Sequence, residues 1–470
     1  MWKGWRSVAP RTVRSRKPRT SRLCSLAAQC MKESHGEGVC MTSRSLPMNR
    51  RAFLAATAAA ASVTVAGCAK GDNKAQGGAG TLSSAGWDDP INDLMNGPIA
   101  EGFAKQSETT LRPQAAVPFG DFQTRFRTLL AGGQPPDVMR LNDDFLVEVS
   151  DKKLSTDLEP YFKESGLDRS AFFPIFDWAK LPSGHRGLVT GTQVRCLFYN
   201  KTLFEKEGVP LPPKDWTGDH WSWDDFLAAA KALTKGTDQY GAIISSDTAC
   251  EEIWPSNNGG PGTFSEDGTK FTLADDPGVE AMQWVADLTL KHHVQPAWGE
   301  LLPDQAVERL FTSGRAAMIL SASSSIAYYA DNVKDFEWDL APVPAKEQQY
   351  QTGGVVLYII PSKAKNPDDA WKYLDYAISE EGGALLAEAG LAVPVNKKAA
   401  ESLKSPGEYP KNIKLLVPGA EHNKNINSTK ATAAAVALYR PQLERVYAGD
   451  LTAGKALSDI RGQVESALNV

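Results

Sequence analysis

The chain has 470 residues, 42% of them hydrophobic and 23% charged, with 51 Lys/Arg against 56 Asp/Glu. Residues 1–67 hold 12 of the basic and 2 of the acidic residues, which leaves 39 basic and 54 acidic residues in the other 403, a net charge of −15. That charge excludes nucleic acid and anionic membrane as electrostatic partners, because both reward basic patches, while 403 residues suffice for two domains.

Residues 1–47 are basic, carry Cys24, Cys30 and Cys40, and show no periodicity. Asn49–Cys68 follows as NRRAFLAATAAAASVTVAGC, with the pair Arg50–Arg51, an apolar run and a small-residue ending at Cys68. Positive charge, a short apolar core and a small-residue stop are the parts of an export signal, and the run is too short to span a bilayer. The start resembles a twin-arginine export signal and the end a lipobox, whose Cys is acylated and becomes the new N-terminus. A buried Ala-rich helix is the plainer alternative, but it needs neither the Arg pair nor the stop. The expectation is that translation starts at Met41 or Met48 and that residues 1–67 are removed as extension and signal. Residues 68–80 then form the lipidated Cys and a flexible tether. Two more Cys remain, Cys196 and Cys250, either as a disulfide or as two buried thiols.

The spacing of apolar residues predicts a strand over 81–86, a helix over 91–106, a strand over 110–117, a helix over 121–130 and a strand over 137–141. This alternation implies a parallel, helix-covered sheet, whose ligands bind at the carboxyl ends of strands. Those ends are Trp87–Asp89, Val117–Gly120 and Asn142–Asp144. Leu188–Tyr199 reads as one strand-like run. Trp223–Leu233 is predicted helical, with Ser222 as N-cap and Asp225 completing a capping box. Strands follow at 240–245, 316–320, 338–342 and 354–360, and helices at 277–291 and 304–312. Asn366 and Pro367 open another helix, and the chain from Ala431 is helical.

Phe311–Met318, FTSGRAAM, followed by ILSASSS, carries a resemblance to the extracellular solute-binding proteins of carbohydrate ABC importers, the group that includes maltose-binding protein. GGQPPDV (Gly132–Val138), LFYNKTLFEKEGV (Leu197–Val209), the Ala341–Trp371 block and YAGDLTAGKAL (Tyr447–Leu457) agree with it in order. The resemblance implies a type II periplasmic-binding-protein-like α/β fold of two lobes, each a helix-flanked, mostly parallel sheet. Residues 81–190 and 340–394 would form lobe 1, and 191–339 and 395–470 lobe 2. The chain would cross between lobes near Gly191–Val194, Glu337–Pro342 and Val393–Val395. A sugar would bind in the cleft, the lobes would close by hinge bending, and a membrane permease with a separate cytoplasmic ATPase would receive the cargo. The chain itself has no GxxxxGK[ST] phosphate loop. No cofactor or metal is implied, and the binder would act as a monomer.

Sugars are held by aromatic faces and by carboxylates or amides that take hydroxyl hydrogens. Trp87 with Asp88 supplies a ring beside acceptors, or else only a capping turn. Asn142, Asp143 and Asp144 are ligand candidates that also sit where a helix is capped. Gln193 takes the place of a ligand carboxylate of the maltose-type pattern, and Glu251 that of a stacking Tyr, with Trp254 beside it as ligand contact or core. Ser324 stands where that pattern has a stacking Trp, and Ser321 of the same serine cluster is a further candidate; the plainer alternative is that these serines only cap the helix that carries Tyr328 and Tyr329. Gly353 and Gly354 permit close approach of a ligand to the backbone, and Trp298 and Arg440 complete the candidates. Six scattered His and the absence of HExxH, GxSxG and CxxC argue against catalysis. A secreted carbohydrate-active enzyme, and a binder of a sugar phosphate or another small polar solute, are the competing readings.

Overall fold

The computed structural model describes residues 80–469, apart from 217–220, 425, 426, 428 and 430. Arg50, Arg51 and Cys68 lie outside the described residues, as does the side chain of Asp144.

Two sheets are built from β1 (Thr81–Ala85), β2 (Thr110–Pro113), β3 (Val138–Leu141), β4 (Leu188–Thr192), β5 (Arg195–Asn200), β6 (Met318–Ala322), β7 (Trp338–Ala341), β8 (Val355–Ile359) and β9 (Val393–Pro394). The first lobe holds the six-stranded order β9-β4-β8-β3-β1-β2, and the second the three-stranded order β6-β5-β7. β1 runs parallel to β2 and β3, while β8 is antiparallel to β3 and β4. In the second lobe β5 is antiparallel to both neighbours. β3 and β4 are buried along their whole length, which is why they read as unbroken apolar runs.

The run expected as one strand over 188–199 is two strands in different sheets, broken at Gln193–Val194. The segment expected as a strand over 240–245 pairs with β6 through isolated parallel bridges, Tyr240 to Ala316 and Ile243 to Ile319. β7 pairs in the second lobe, so the second passage between lobes comes after it, later than Glu337–Pro342. The third passage also comes later than Val393–Val395. β9 still pairs with β4, and the chain reaches the second lobe further on, where Gly407 packs against Ala330, Asn412 N–H donates to Asp339 and the Trp216 indole N–H donates to Leu415 O.

Helices follow the apolar stripes, with local exceptions that have local causes. Pro98 lies inside the first helical stretch, and the backbone widens there into a π turn over Met95–Ile99, between Pro90–Leu94 and Ala100–Ser107. The capping box at Ser222 and Asp225 forms with both hydrogen bonds in place. Asn366 makes no side-chain cap to Pro367–Ile378; its amide donates to Asp137 instead. The helix expected from 304 begins at Ala306, because Gln305 takes a left-handed conformation at φ 54°. Cys196 and Cys250 are free and buried, and burial pushes both thiols far above the ordinary range.

His185 belongs to the small hairpin of Lys180–Leu181 with Gly184–His185. Its ring is 1% exposed, packs edge-on against Phe162 at 4.7 Å, and has both nitrogens without a hydrogen-bond partner. Burial holds its pKa down, to about 4, against the pull of Asp177 at 4.0 Å. A base whose pKa is depressed by folding contributes stability above its unfolded pKa of about 6.5 and loses it as pH falls. Urea unfolding at pH 7 and pH 4.5 should therefore show a loss of about 2–3 kcal/mol from this group. His185→Phe should remove that part of the loss; an identical loss in variant and wild type would disprove the assignment.

Candidate functional site

Strand directions bring two edges together. The carboxyl ends of β1, β2, β3 and β4 and the amino end of β8 share one edge of the first lobe. The amino end of β5 and the carboxyl ends of β6 and β7 share one edge of the second. Only Gln193 and Val194 separate β4 from β5, so the two edges face each other across a cleft.

This crossing is tied from both sides. Gln193 N–H donates to Gly354 O at 2.9 Å. Val194 N–H donates to Ser323 Oγ at 3.1 Å, and Ser323 N–H to Val194 O at 2.9 Å. Gln351 is fully buried; its Oε1 accepts from Arg195 N–H at 2.9 Å, and its Nε2 donates to Gly419 O at 3.1 Å and Asn423 Oδ1 at 2.9 Å. One carboxamide thus joins three separate stretches of chain, and a buried amide with all its bonds made holds its neighbours in register.

On the first lobe, Trp87 is buried rather than open. Its indole N–H donates to Asp89 at 2.9 Å and the Arg140 guanidinium lies 3.9 Å from its ring centroid. Arg140 is in turn paired with Asp89 at 2.5 Å. Phe119, which no periodicity marked, is the exposed ring there: it stacks on Phe122 at 5.1 Å and meets Trp87 edge-on at 5.4 Å. Asp88 is exposed, and Asn142 and Asp143 are half-buried at the end of β3. Asn142 occupies the N-cap position of Asp143–Asp151 without a side-chain cap bond. Gln193 is half-buried on the crossing.

On the second lobe a cavity of about 460 Å³ opens at the strand ends, between Ser246–Thr248, Pro303–Glu308 and Ser321–Ser325. Ser321 and Ser325 line it; Ser324 is exposed beside it. Asp247 is bound to Arg195 at 2.8 Å, and Arg195 also donates to Thr352 O at 2.7 Å. Among the described residues, Asp304 and Glu308 of the same wall form no ion pair. Sequence reasoning missed Arg140 and Arg195 because both lie inside strand-like runs.

Four candidates are second-lobe interior or its supports. Glu251 is 4% exposed and accepts from Arg440 Nε and Nη2, each at 3.1 Å, and from the Tyr439 hydroxyl at 2.7 Å. Burial raises its pKa while those donors oppose the rise. Trp254 is fully buried, 5.4 Å from Trp284, and Trp298 is half-buried against Tyr447 at 5.0 Å. A ligand reaching Glu251 or Arg440 would have to compete with this ion pair.

Gly353 and Gly354 differ sharply. A Cβ on Gly353 would lie 1.4 Å from Gln193 O, whereas one on Gly354 would meet only Gln193 Oε1 at 3.9 Å. The close approach that Gly353 permits is backbone to backbone at the crossing. Gly353→Ala should destabilise the protein by about 1–3 kcal/mol, and Gly354→Ala by much less. Equal unfolding midpoints for the two variants would refute this account.

The model of the bacterial extracellular solute-binding protein family matches residues 87–384. Curated relatives are similar as well. Putative binding proteins of Brucella abortus and Brucella suis are 25% identical over 298 residues, 61% of this chain and 68% of theirs. Among solved structures, an ABC substrate-binding protein of Listeria monocytogenes in complex with cycloalternan superposes with a TM-score of 0.72 at 23% identity, over 83% of this chain and 99% of that one. A Thermotoga lettingae solute-binding protein bound with α-D-tagatose gives 0.68 at 20%, over 83% and 100%. The Thermus thermophilus maltotriose-binding protein gives 0.66 at 19%, over 82% and 100%. These neighbours are substrate-binding proteins. With the family model covering more than half of its length, this chain belongs to the bacterial extracellular solute-binding proteins.

Proposed function

We propose that this protein is the lipid-anchored, extracytoplasmic subunit of an ABC importer that captures a neutral sugar in the interlobe cleft and delivers it to a membrane permease. A separate cytoplasmic ATPase would drive transport. The observation that carries the cargo assignment is the charge of the cleft. Both arginines at its edges, Arg140 and Arg195, are already neutralised by Asp89 and Asp247. Carboxylates, hydroxyls and the Gln193 amide remain, and these are the groups that bind sugar hydroxyls. In the second-lobe cavity an anionic solute would meet Asp247, Asp304 and Glu308, and among the described residues no lysine or arginine lines that cavity. This disfavours the sugar-phosphate reading. An enzyme of the glycosidase type needs two carboxylates set across the sugar, and the relatives that share this fold bind rather than cleave. Acylation of Cys68 would hold the protein at the outer face of the membrane as a monomer; among the described residues no helix is long and apolar enough to cross it.

A soluble form starting at Gly71 should gain thermal stability with a subset of neutral mono-, di- or oligosaccharides. At 100 times its dissociation constant a ligand adds about 2.7 kcal/mol. Sugar phosphates should produce no shift; a shift with them alone would replace sugar by an anionic solute. Cys68→Ser in the full chain should move the protein from the membrane fraction to the soluble fraction, and retention in the membrane would overturn the anchor.

A further inference from the structure

Glu252, in the helix Cys250–Asn257, is 1% exposed, and no role in the cleft accounts for it. Its carboxyl has a built seat. Gly262 stands at φ 101°, and a Cβ there would lie 2.0 Å from Glu252 Oε1, so glycine is what leaves the carboxyl its room. Oε2 accepts from Thr263 N–H at 2.8 Å, and Ser256 Oγ reaches Oε1 at 3.5 Å. Both donors are neutral, and a full charge in such a seat is costly. Burial accordingly pushes the Glu252 pKa up, to about 7, against the pull of Thr263 N–H and of the Lys424 charge.

The same helix fastens the second passage between the lobes. Asn257 Oδ1 accepts from Tyr350 N–H at 2.5 Å, its Nδ2 donates to Tyr350 O at 3.1 Å, and its carbonyl accepts from Glu347 N–H at 2.9 Å. One residue on, Gln351 bridges to Asn423, Lys424 N–H donates to Gln351 O at 2.8 Å, and Thr352 Oγ1 donates to Lys424 O at 2.6 Å. The Lys424 ammonium reaches back to the loop that carries Gly262, donating to Gly260 O at 3.4 Å. Burial lowers its pKa, and the Glu252 charge opposes that fall. The other charged groups around this helix are matched elsewhere. Arg440 and the Tyr439 hydroxyl bond Glu251, Lys346 pairs with Glu280, Arg195 with Asp247, and His422 Nδ1 lies 2.9 Å from Gln349 O. The charge on Glu252 is therefore set by a proton at the point where helix, loop and passage meet.

We propose that Glu252 is a proton-operated latch on the second passage between the lobes: with its carboxyl neutral the helix holds the passage, and loss of the proton loosens that hold. The sign follows from linkage. A carboxyl that keeps its proton up to about 7 when seated, and gives it up near 4.5 when opened to water, favours the seated form less as pH rises through that window. Members of this family work outside the cell interior, so the pH in question is that of the surroundings. A rise in it would soften the joint on which the lobes turn.

Amide hydrogen exchange of the ligand-free soluble form at pH 6 and pH 8, corrected for intrinsic rates and referred to β3, tests this. Protection of peptides over 347–354 and 419–424 should fall about tenfold from pH 6 to pH 8, with β3 unchanged. Glu252→Gln is neutral at both pH values and can still accept from Thr263, so it should keep the pH 6 protection at pH 8. Lys424→Met removes the charge that eases ionisation and should enlarge the fall. Equal protection of the wild type at both pH values, or a fall that Glu252→Gln shows in full, would overturn the latch. A smaller fall in Lys424→Met would overturn it too, and that arm stands even where Glu252→Gln does not fold. No cargo enters the experiment, so its failure leaves the sugar reading untouched.

Discussion

Two residues of chain, Gln193 and Val194, are all that separates the first sheet from the second, and most of the site follows from that shortness. So brief a connection cannot let the lobes drift; it forces the strand ends of one against those of the other. Its backbone N–H groups leave the sheets at the crossing and have to find partners there. Gly354 and Ser323 supply those bonds from stretches far along the chain, and Gln351 accepts the next N–H, that of Arg195. The glycine at 353 is part of the same constraint, since the carbonyl of Gln193 occupies the place where its side chain would be.

The strands and helices of the first lobe were legible because burial on both sheet faces writes long apolar runs, and a capping box is a local signal. The crossing was not legible. Leu188–Tyr199 is continuously β-favouring, and what interrupts it is a partner such as Ser323, 129 residues later. The candidate site divides along the same line. Trp87, Asn142 and Gln193 follow apolar runs, and strand ends are where ligands gather, so their neighbourhood could be inferred. The roles of Glu251 and Trp254 are set by Arg440, Tyr439 and Trp284, contacts that nothing near them in sequence announces. Phe119 sits in a turn with no periodicity, and only its exposure in three dimensions distinguishes it.

The electrostatic design is economical. A guanidinium buried at a sheet edge is costly unless a carboxylate meets it, and both cleft arginines are met. Once paired, they act as rigid donors and spacers rather than as anion traps: Arg140 backs the Trp87 ring, and Arg195 fastens β5 to Thr352. Among the described residues Asp304 and Glu308, which form no ion pair, then set the sign of the field in the cavity.

The buried carboxamide of Gln351 has a mechanical consequence. It grips the first crossing, the approach to β8 and the Gly419–Asn423 stretch at once, so any swing of the lobes that spares these bonds has its axis passing close by. In a hinge closure of this kind, points near that axis would barely travel and points at the outer strand would travel furthest. The Trp87–Phe119 stack lies partway along this lever arm, over the β3 and β1 ends. A solute lodged beside Gln193 would feel little of the motion, while one that reaches the outer strand would turn a few degrees of rotation into a large displacement. The length of the cargo would then set the angle at which the two halves come to rest.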